Sequence, residues 1–206
     1  MNQKAPVQAV RRAPRLVLSS LAVVIAVAVG TLGYPSVSSS ATSFGEVLRG
    51  DHHGGLGKAD GVVPDDTSVL DDSTPAVAGL DPSLRAALRR AAAGAAEDGV
   101  ELFVNSGWRS PAYQERLLQD AIAQHGSREE AARWVATPST SPHVSGDAVD
   151  IGHADGAQWL SERGAAYGLC QVYDNEPWHY ELRPEAVSQG CPSTYADPTH
   201  DPRMQR

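Results

Sequence analysis

Basic residues are in short supply. The 206-residue chain carries 17 Lys+Arg against 25 Asp+Glu, and four of the basic ones, Lys4, Arg11, Arg12 and Arg15, fall before any acid appears. Past residue 41 the balance is 13 basic against 25 acidic, a formal charge of −12. An acidic excess of this size argues against nucleic acid as a partner. The charge does not choose a substrate, because net charge bears on solubility and steering rather than on a site. Internal repeats are also missing. Cysteine is nearly so: Cys170 and Cys191 are the only two. In an exported chain an even pair reads as a disulfide. It would close the 20 residues between them and stabilise by roughly 3 kcal/mol in the chain-entropy view. Two unpaired buried thiols are the alternative.

What is present begins with the N-terminus. A basic start is followed by the apolar run Leu16–Leu32 and by small residues ending Ser39-Ser40-Ala41. This pattern reads as an export signal over residues 1–41. The alternative is an uncleaved membrane anchor, because about 17 apolar residues can just span a bilayer. Either way the remainder faces outside the cytoplasm. Residues 42–78 read as a flexible linker, being rich in Asp, Gly, Ser and Pro with few large apolar groups. His52-His53 within it fits a solvated tether better than a metal site, since no further ligand stands near. Residues 79–192 form the compact domain, and 193–206 an irregular tail.

Asp81-Pro82 supplies an N-cap and a first helical residue. The alanine-rich helix that follows stops at Gly99. Val100–Asn105 reads as a strand. Ser110-Pro111 opens a second helix, reaching about His125 and burying Tyr113, Leu117, Leu118 and Ile122. Ser127-Arg128-Glu129-Glu130 is a capping box for a short helix carrying Trp134. Thr137–Pro142 is a loop, Ala148–Ile151 a strand, and Asp155 caps a helix holding Trp159 and Leu160. Leu169–Tyr173 and Trp178–Leu182 are further strands. The fold class is α+β, helices first and short strands mostly later.

The chemistry lies in two stretches. His143-Val144-Ser145-Gly146-Asp147-Ala148-Val149-Asp150 pairs a histidine with a carboxylate, and Glu176-Pro177-Trp178-His179 pairs a second histidine with a glutamate. Two imidazoles, one carboxylate and a spare glutamate are what a hydrolytic zinc site needs. On an extended strand Asp150 shares a face with Ala148 and Gly152, which leaves room for an ion, while Val149 and Ile151 face the core. Taken alone, Asp150 reads as easily as a salt-bridged strand residue and His143 as a loop histidine. Pro177 bends the entry to the last strand, which lets Glu176 and His179 approach one ion. Glu181, two beyond His179, either orients that histidine or faces solvent. Arg109, between a strand and a capped helix, either stabilises an oxyanion or stacks on Trp108 at the surface. His125, His153 and His200 read as surface groups, although His153 lies close to Asp150 in the chain.

Three motifs together, Ser106-Gly107-Trp108-Arg109-Ser110, Ser141-Pro142-His143 through Asp150, and Glu176-Pro177-Trp178-His179-Tyr180, resemble VanY-type D-alanyl-D-alanine carboxypeptidases. The resemblance covers about residues 80–190. It implies the zinc-peptidase fold shared with D-Ala-D-Ala dipeptidases and the hedgehog signalling domain, a small sheet with helices around it. It implies Zn2+ held by His143, Asp150 and His179, with Glu176 as base and Arg109 stabilising the transition state. Ser141 matches a serine close to the substrate, and Gln114 a glutamine common after the arginine motif. The implied substrate is a peptidoglycan stem peptide ending in D-Ala-D-Ala. The implied alternatives are an L-alanyl-D-glutamate endopeptidase, a D-Ala-D-Ala dipeptidase or a non-catalytic zinc-stabilised cell-wall binding module. Asp147 departs from the pattern and would place an extra carboxylate near the ligands. With no cell-wall-binding repeats in view, targeting would rest on the N-terminal anchor or on diffusion.

Overall fold

A computed structural model describes residues 55–205. The export signal or anchor expected over 1–41 and the start of the expected linker lie outside the described residues. Among the described residues, no helix is long and apolar enough to cross a membrane.

Four short strands form one antiparallel sheet in the order β1-β2-β4-β3: β1 Phe103–Ser106, β2 Ala148–Gly152, β3 Leu169–Gln171 and β4 His179–Leu182. Helices surround it, so the α+β class is borne out. In chain order they are α1 Pro75–Ala78, α2 Pro82–Glu97, α3 Pro111–His125, α4 Arg128–Ala131, α5 Pro142–Ser145, α6 Ala154–Arg163 and α7 Ala186–Gln189, with short 3-10 turns between and after them.

Local sequence explains most of these boundaries. The Asp81 carboxylate accepts from the backbone N–H groups of Ser83 and Leu84, and Ser110 and Ser127 cap α3 and α4 through Tyr113 and Glu130. Each satisfies a donor the first helical turn leaves open. Leu84, Leu88 and Ala91 of α2 then meet Val149, Ile151 and Tyr180 of the sheet, with Trp159 and Leu160 of α6, in the main core. A second cluster, built on Tyr113, Leu117, Leu118 and Ala131, joins α3 to α4. Asp155 is not a cap: α6 starts one residue earlier, and its carboxylate bonds the adjacent Gly156 N–H instead. Trp134 lies past the end of α4. The expected strand at Val100–Asn105 is displaced to Phe103–Ser106, and that at Leu169–Tyr173 ends at Gln171.

Two boundaries need correction. The linker expected over 42–78 is packed structure in its described part. Val69 and Val77 are core residues, Ser68 bridges Phe103, and the Trp108 and Ser110 N–H groups donate to the Ala76 and Asp60 carbonyls. The polar composition obscured this, because few but well-spaced valines suffice when their backbone is satisfied by capped turns such as Asp71 with Ser73 and Thr74. The tail expected over 193–206 is also held in place. It makes 3-10 turns at Pro198–His200 and Pro202–Gln205, and Asp197 and Asp201 are buried. Cys170 and Cys191 are joined by a disulfide, with α-carbons 5.6 Å apart, which ties the start of this segment to β3.

A candidate metal centre at the middle of the sheet

Sheet register brings the ligands together. Asp150 pairs with His179 across β2 and β4, and with Ser106 across β1 and β2, where a bulge interrupts the ladder. His143 arrives from α5, a single turn begun by Pro142 and ended by Gly146. Gly146 has φ +83°, and a β-carbon there would lie 2.5 Å from the Gly79 carbonyl. Only glycine allows this chain reversal so close to the start of α2. Gly107 is constrained in the same way, since a β-carbon would meet the Ala76 carbonyl at 2.1 Å.

Ligand atoms of His143, Asp150 and His179 all lie within 4.8 Å of one another, and all three residues are buried. Asp150 Oδ1 is 3.4 Å from His143 Nε2 and 3.1 Å from His179 Nδ1. The other nitrogen of each ring is occupied. His143 Nδ1 donates to the Gly107 carbonyl at 2.9 Å, and His179 Nε2 donates to Glu181 Oε1 at 3.3 Å. A carbonyl or carboxylate can only accept, so these contacts fix which nitrogen of each ring keeps its lone pair. The remaining nitrogens, His143 Nε2 and His179 Nδ1, both face Asp150 Oδ1 and are the ones available to a metal. Tetrahedral zinc with bonds of about 2.0–2.2 Å sets its ligands roughly 3.3–3.6 Å apart, so the observed spacing and donor set fit zinc.

Electrostatics favour a cation here. Burial opposes charge on Asp150, but His143, His179 and Arg109 outweigh it and hold the carboxylate well below its usual range. Burial and the neighbouring Arg109 lower His143, keeping it neutral as a ligand must be. Burial works against a proton on His179 as well, yet hydrogen bonds to Asp150 and Glu181 raise it to about 10. That proton must leave His179 Nδ1 before a metal can bind there, so binding would release it. Glu181 is 1 % exposed, so of its two readings the solvent-facing one is excluded and it holds His179.

Glu176 stands beside this group, its Oε2 3.7 Å from His179 Nδ1. Its Oε1 is buried with no hydrogen-bond partner. Burial pushes this carboxyl up to about 8, with Asp150 adding to the effect and His179 opposing it. An orphaned carboxylate oxygen is costly, and such groups cluster at sites that move protons.

Arg109 is buried and committed on three sides. Nη2 donates to Asp150 Oδ2 at 2.8 Å, Nε to Ser106 Oγ at 2.6 Å and Nη1 to Gln114 Oε1 at 3.1 Å. It therefore aims Asp150, with Oδ1 turned to the two histidines, and it does not lie at the surface on Trp108. Gln114 is fully buried, and its Nε2 donates to the Ala136 carbonyl at 2.9 Å. With both ends occupied, it braces Arg109. Ser141 lines the pocket, and its hydroxyl makes no capping bond to α5. Asp147 is exposed and bonded to Ser145, away from the pocket. His153 pairs with Asp66, His200 with Asp197, and His125 stacks on Trp134, so none joins the ligand set. The apolar walls were not foreseen: Trp134, Val135, Tyr173, Trp178, Pro198 and Met204 line the same pocket. Their only advance signal was the proximity of Trp178 to His179.

The chain is similar to several known proteins. The family model described as VanY, D-alanyl-D-alanine carboxypeptidase, matches residues 78–185. A D-alanyl-D-alanine carboxypeptidase of Enterococcus faecalis is 34% identical over 109 residues, 40% of this chain and 40% of that protein, so the match spans well under half of the curated relative. Among solved structures, VanYB in complex with D-alanine-D-alanine superposes with a TM-score of 0.50 at 28% identity, covering 54% of this chain and 78% of that one. A zinc complex of a VanY D,D-pentapeptidase variant from a VanB-type vancomycin resistance cassette gives 0.47 at 28% identity, covering 50% and 72%. The chain belongs to the VanY family.

Proposed function

We propose that this chain is a zinc-dependent D-alanyl-D-alanine carboxypeptidase that releases the terminal D-Ala from peptidoglycan stem peptides. The observation that carries the reading is the orphaned Glu176 Oε1 beside three converging metal ligands. A purely structural zinc site closes its coordination with protein ligands and needs no free base. That separates a peptidase from a zinc-stabilised binding module.

Zinc held by His143 Nε2, Asp150 Oδ1 and His179 Nδ1 would lower the pKa of water at its open position to about 7 and polarise the scissile carbonyl. Glu176 accepts the proton from the attacking water and returns it to the leaving amine of D-Ala. The water oxygen ends in the new carboxylate and its hydrogens in the products. Arg109 holds Asp150 in place, and its guanidinium supplies positive charge toward the developing oxyanion. Ser141, which lines the pocket, is the residue we assign to hydrogen-bonding the peptide. Trp134, Val135 and Trp178 give the pocket apolar lining.

We place the protein outside the cytoplasm, with the N-terminal apolar run serving export or anchoring. The Cys170–Cys191 disulfide supports this, because such bonds persist in oxidising compartments. The substrate lies there as well. The test is to incubate the protein with a muropeptide pentapeptide and weigh the products. Loss of one D-Ala supports the reading. Release of a D-Ala-D-Ala dipeptide, or cleavage between L-Ala and D-Glu, would assign the site to another peptidase reaction.

A further inference from the structure

The C-terminal segment lies beyond the region matched by the family model, which ends at residue 185, yet it reaches the metal centre. Its Arg203 makes a two-pronged contact with Glu181, Nη1 to Oε2 at 2.6 Å and Nη2 to Oε1 at 3.2 Å. Glu181 is the residue that holds His179 Nε2. Arg203 is fixed from behind by Asp201, which is fully buried and also accepts from the Tyr173 hydroxyl at 3.0 Å. Next to Arg203, Met204 lines the pocket, as does Pro198.

The segment is anchored at three further points. The disulfide fixes its start, a bridge pairs Tyr195 with Tyr173, and Asp197 accepts from Arg133 Nε at 3.0 Å.

We propose that Arg203 is a positioning residue for the metal centre, holding Glu181 so that His179 keeps Nδ1 turned to the metal. A single carboxylate on a short strand has rotamer freedom. A guanidinium fork removes it, because both oxygens are engaged in one plane. Arg183 Nη2 also reaches Glu181 Oε2, at 2.9 Å, but it adds one contact to one oxygen and cannot fix the plane of the group. Partners of metal-bound histidines typically contribute 10–100-fold to metal affinity. The role assigned to Arg203 rests on the zinc-site reading above, and its test does not depend on peptide turnover.

The experiment measures zinc affinity by chelator competition for the full protein, alongside Arg203→Met, Arg203→Lys and Arg183→Met, with circular dichroism to show that each is folded. The expected result is about a 10-fold or greater loss of zinc affinity in Arg203→Met, partial recovery in Arg203→Lys and a smaller loss in Arg183→Met. Folded Arg203→Met with wild-type zinc affinity would overturn the proposal, as would Arg183→Met weakening zinc more than Arg203→Met. If Arg203→Met does not fold, Arg203→Gln, which keeps donors but not the fork, decides by the same readout. Weakened zinc in a protein whose wild type trims no peptide would uphold the positioning role and refute the proposed activity alone.

Discussion

Glu176 Oε2 lies 3.7 Å from His179 Nδ1, while the opposite oxygen of the same carboxylate is buried without a partner. One side of the group faces the ligand set and the other is left for a proton. An unpaired buried carboxyl oxygen is costly, and beside a set of metal ligands it suits a group that exchanges a proton.

Glu176→Gln retains the shape and removes the base. Turnover of a pentapeptide should fall at least about 100-fold, the lower end for general acid–base catalysis, while zinc content stays at the wild-type level. His143→Ala should lose both zinc and turnover. Metal analysis beside mass-spectrometric product counting separates the two. Loss of zinc from Glu176→Gln would make that glutamate a ligand.

The same substitution carries a pH signature in metal-free protein. Burial raises the Glu176 carboxyl from its ordinary 4.5 to about 8. A group with a raised folded-state value contributes stability that is full below the unfolded value and is lost as pH rises through the folded one. Chelator-treated wild type should therefore lose stability relative to Glu176→Gln between about pH 4.5 and about pH 8. His179 is coupled to Glu176 and titrates with it, so the difference reports the pair. Parallel urea midpoints across that range would reject it.

Arg109→Ala should destabilise metal-free protein by about 3–5 kcal/mol, because it strips the partner from a buried carboxylate. It should also slow turnover. Arg109→Lys should recover only part of either, since an ammonium cannot meet Asp150, Ser106 and Gln114 together. Urea unfolding and steady-state rates of both variants check this. Unchanged stability in Arg109→Ala would show that Asp150 is held by the histidines alone.

A chain beginning at residue 79 should fold less stably than one beginning at residue 55, because Val69 and Val77 are removed from the core. Thermal unfolding of the two compares them directly. Equal midpoints would return residues 55–78 to the status of a linker. Replacing both cysteines with serine should lower stability by roughly 3 kcal/mol, as expected for a loop of this length.

The sequence alone determined the local features: the Asp81, Ser110 and Ser127 caps, the alternation that sends Val149 and Ile151 inward, and the identities of His143, Asp150, His179 and Glu176. Each depends on neighbours a few residues away, so spacing and chemistry suffice. Tertiary structure decided the rest. Whether Glu181 faced solvent or His179 was decided by partners outside its own strand, among them Arg203, 22 residues on in the chain. Whether Arg109 lay on the surface or beneath Asp150 depended on strand register across 41 residues. The packing of residues 55–78 and 193–205 could not be read from composition either. A polar segment orders when its few apolar side chains and its backbone donors meet partners from distant parts of the chain, and those partners are adjacent only after folding.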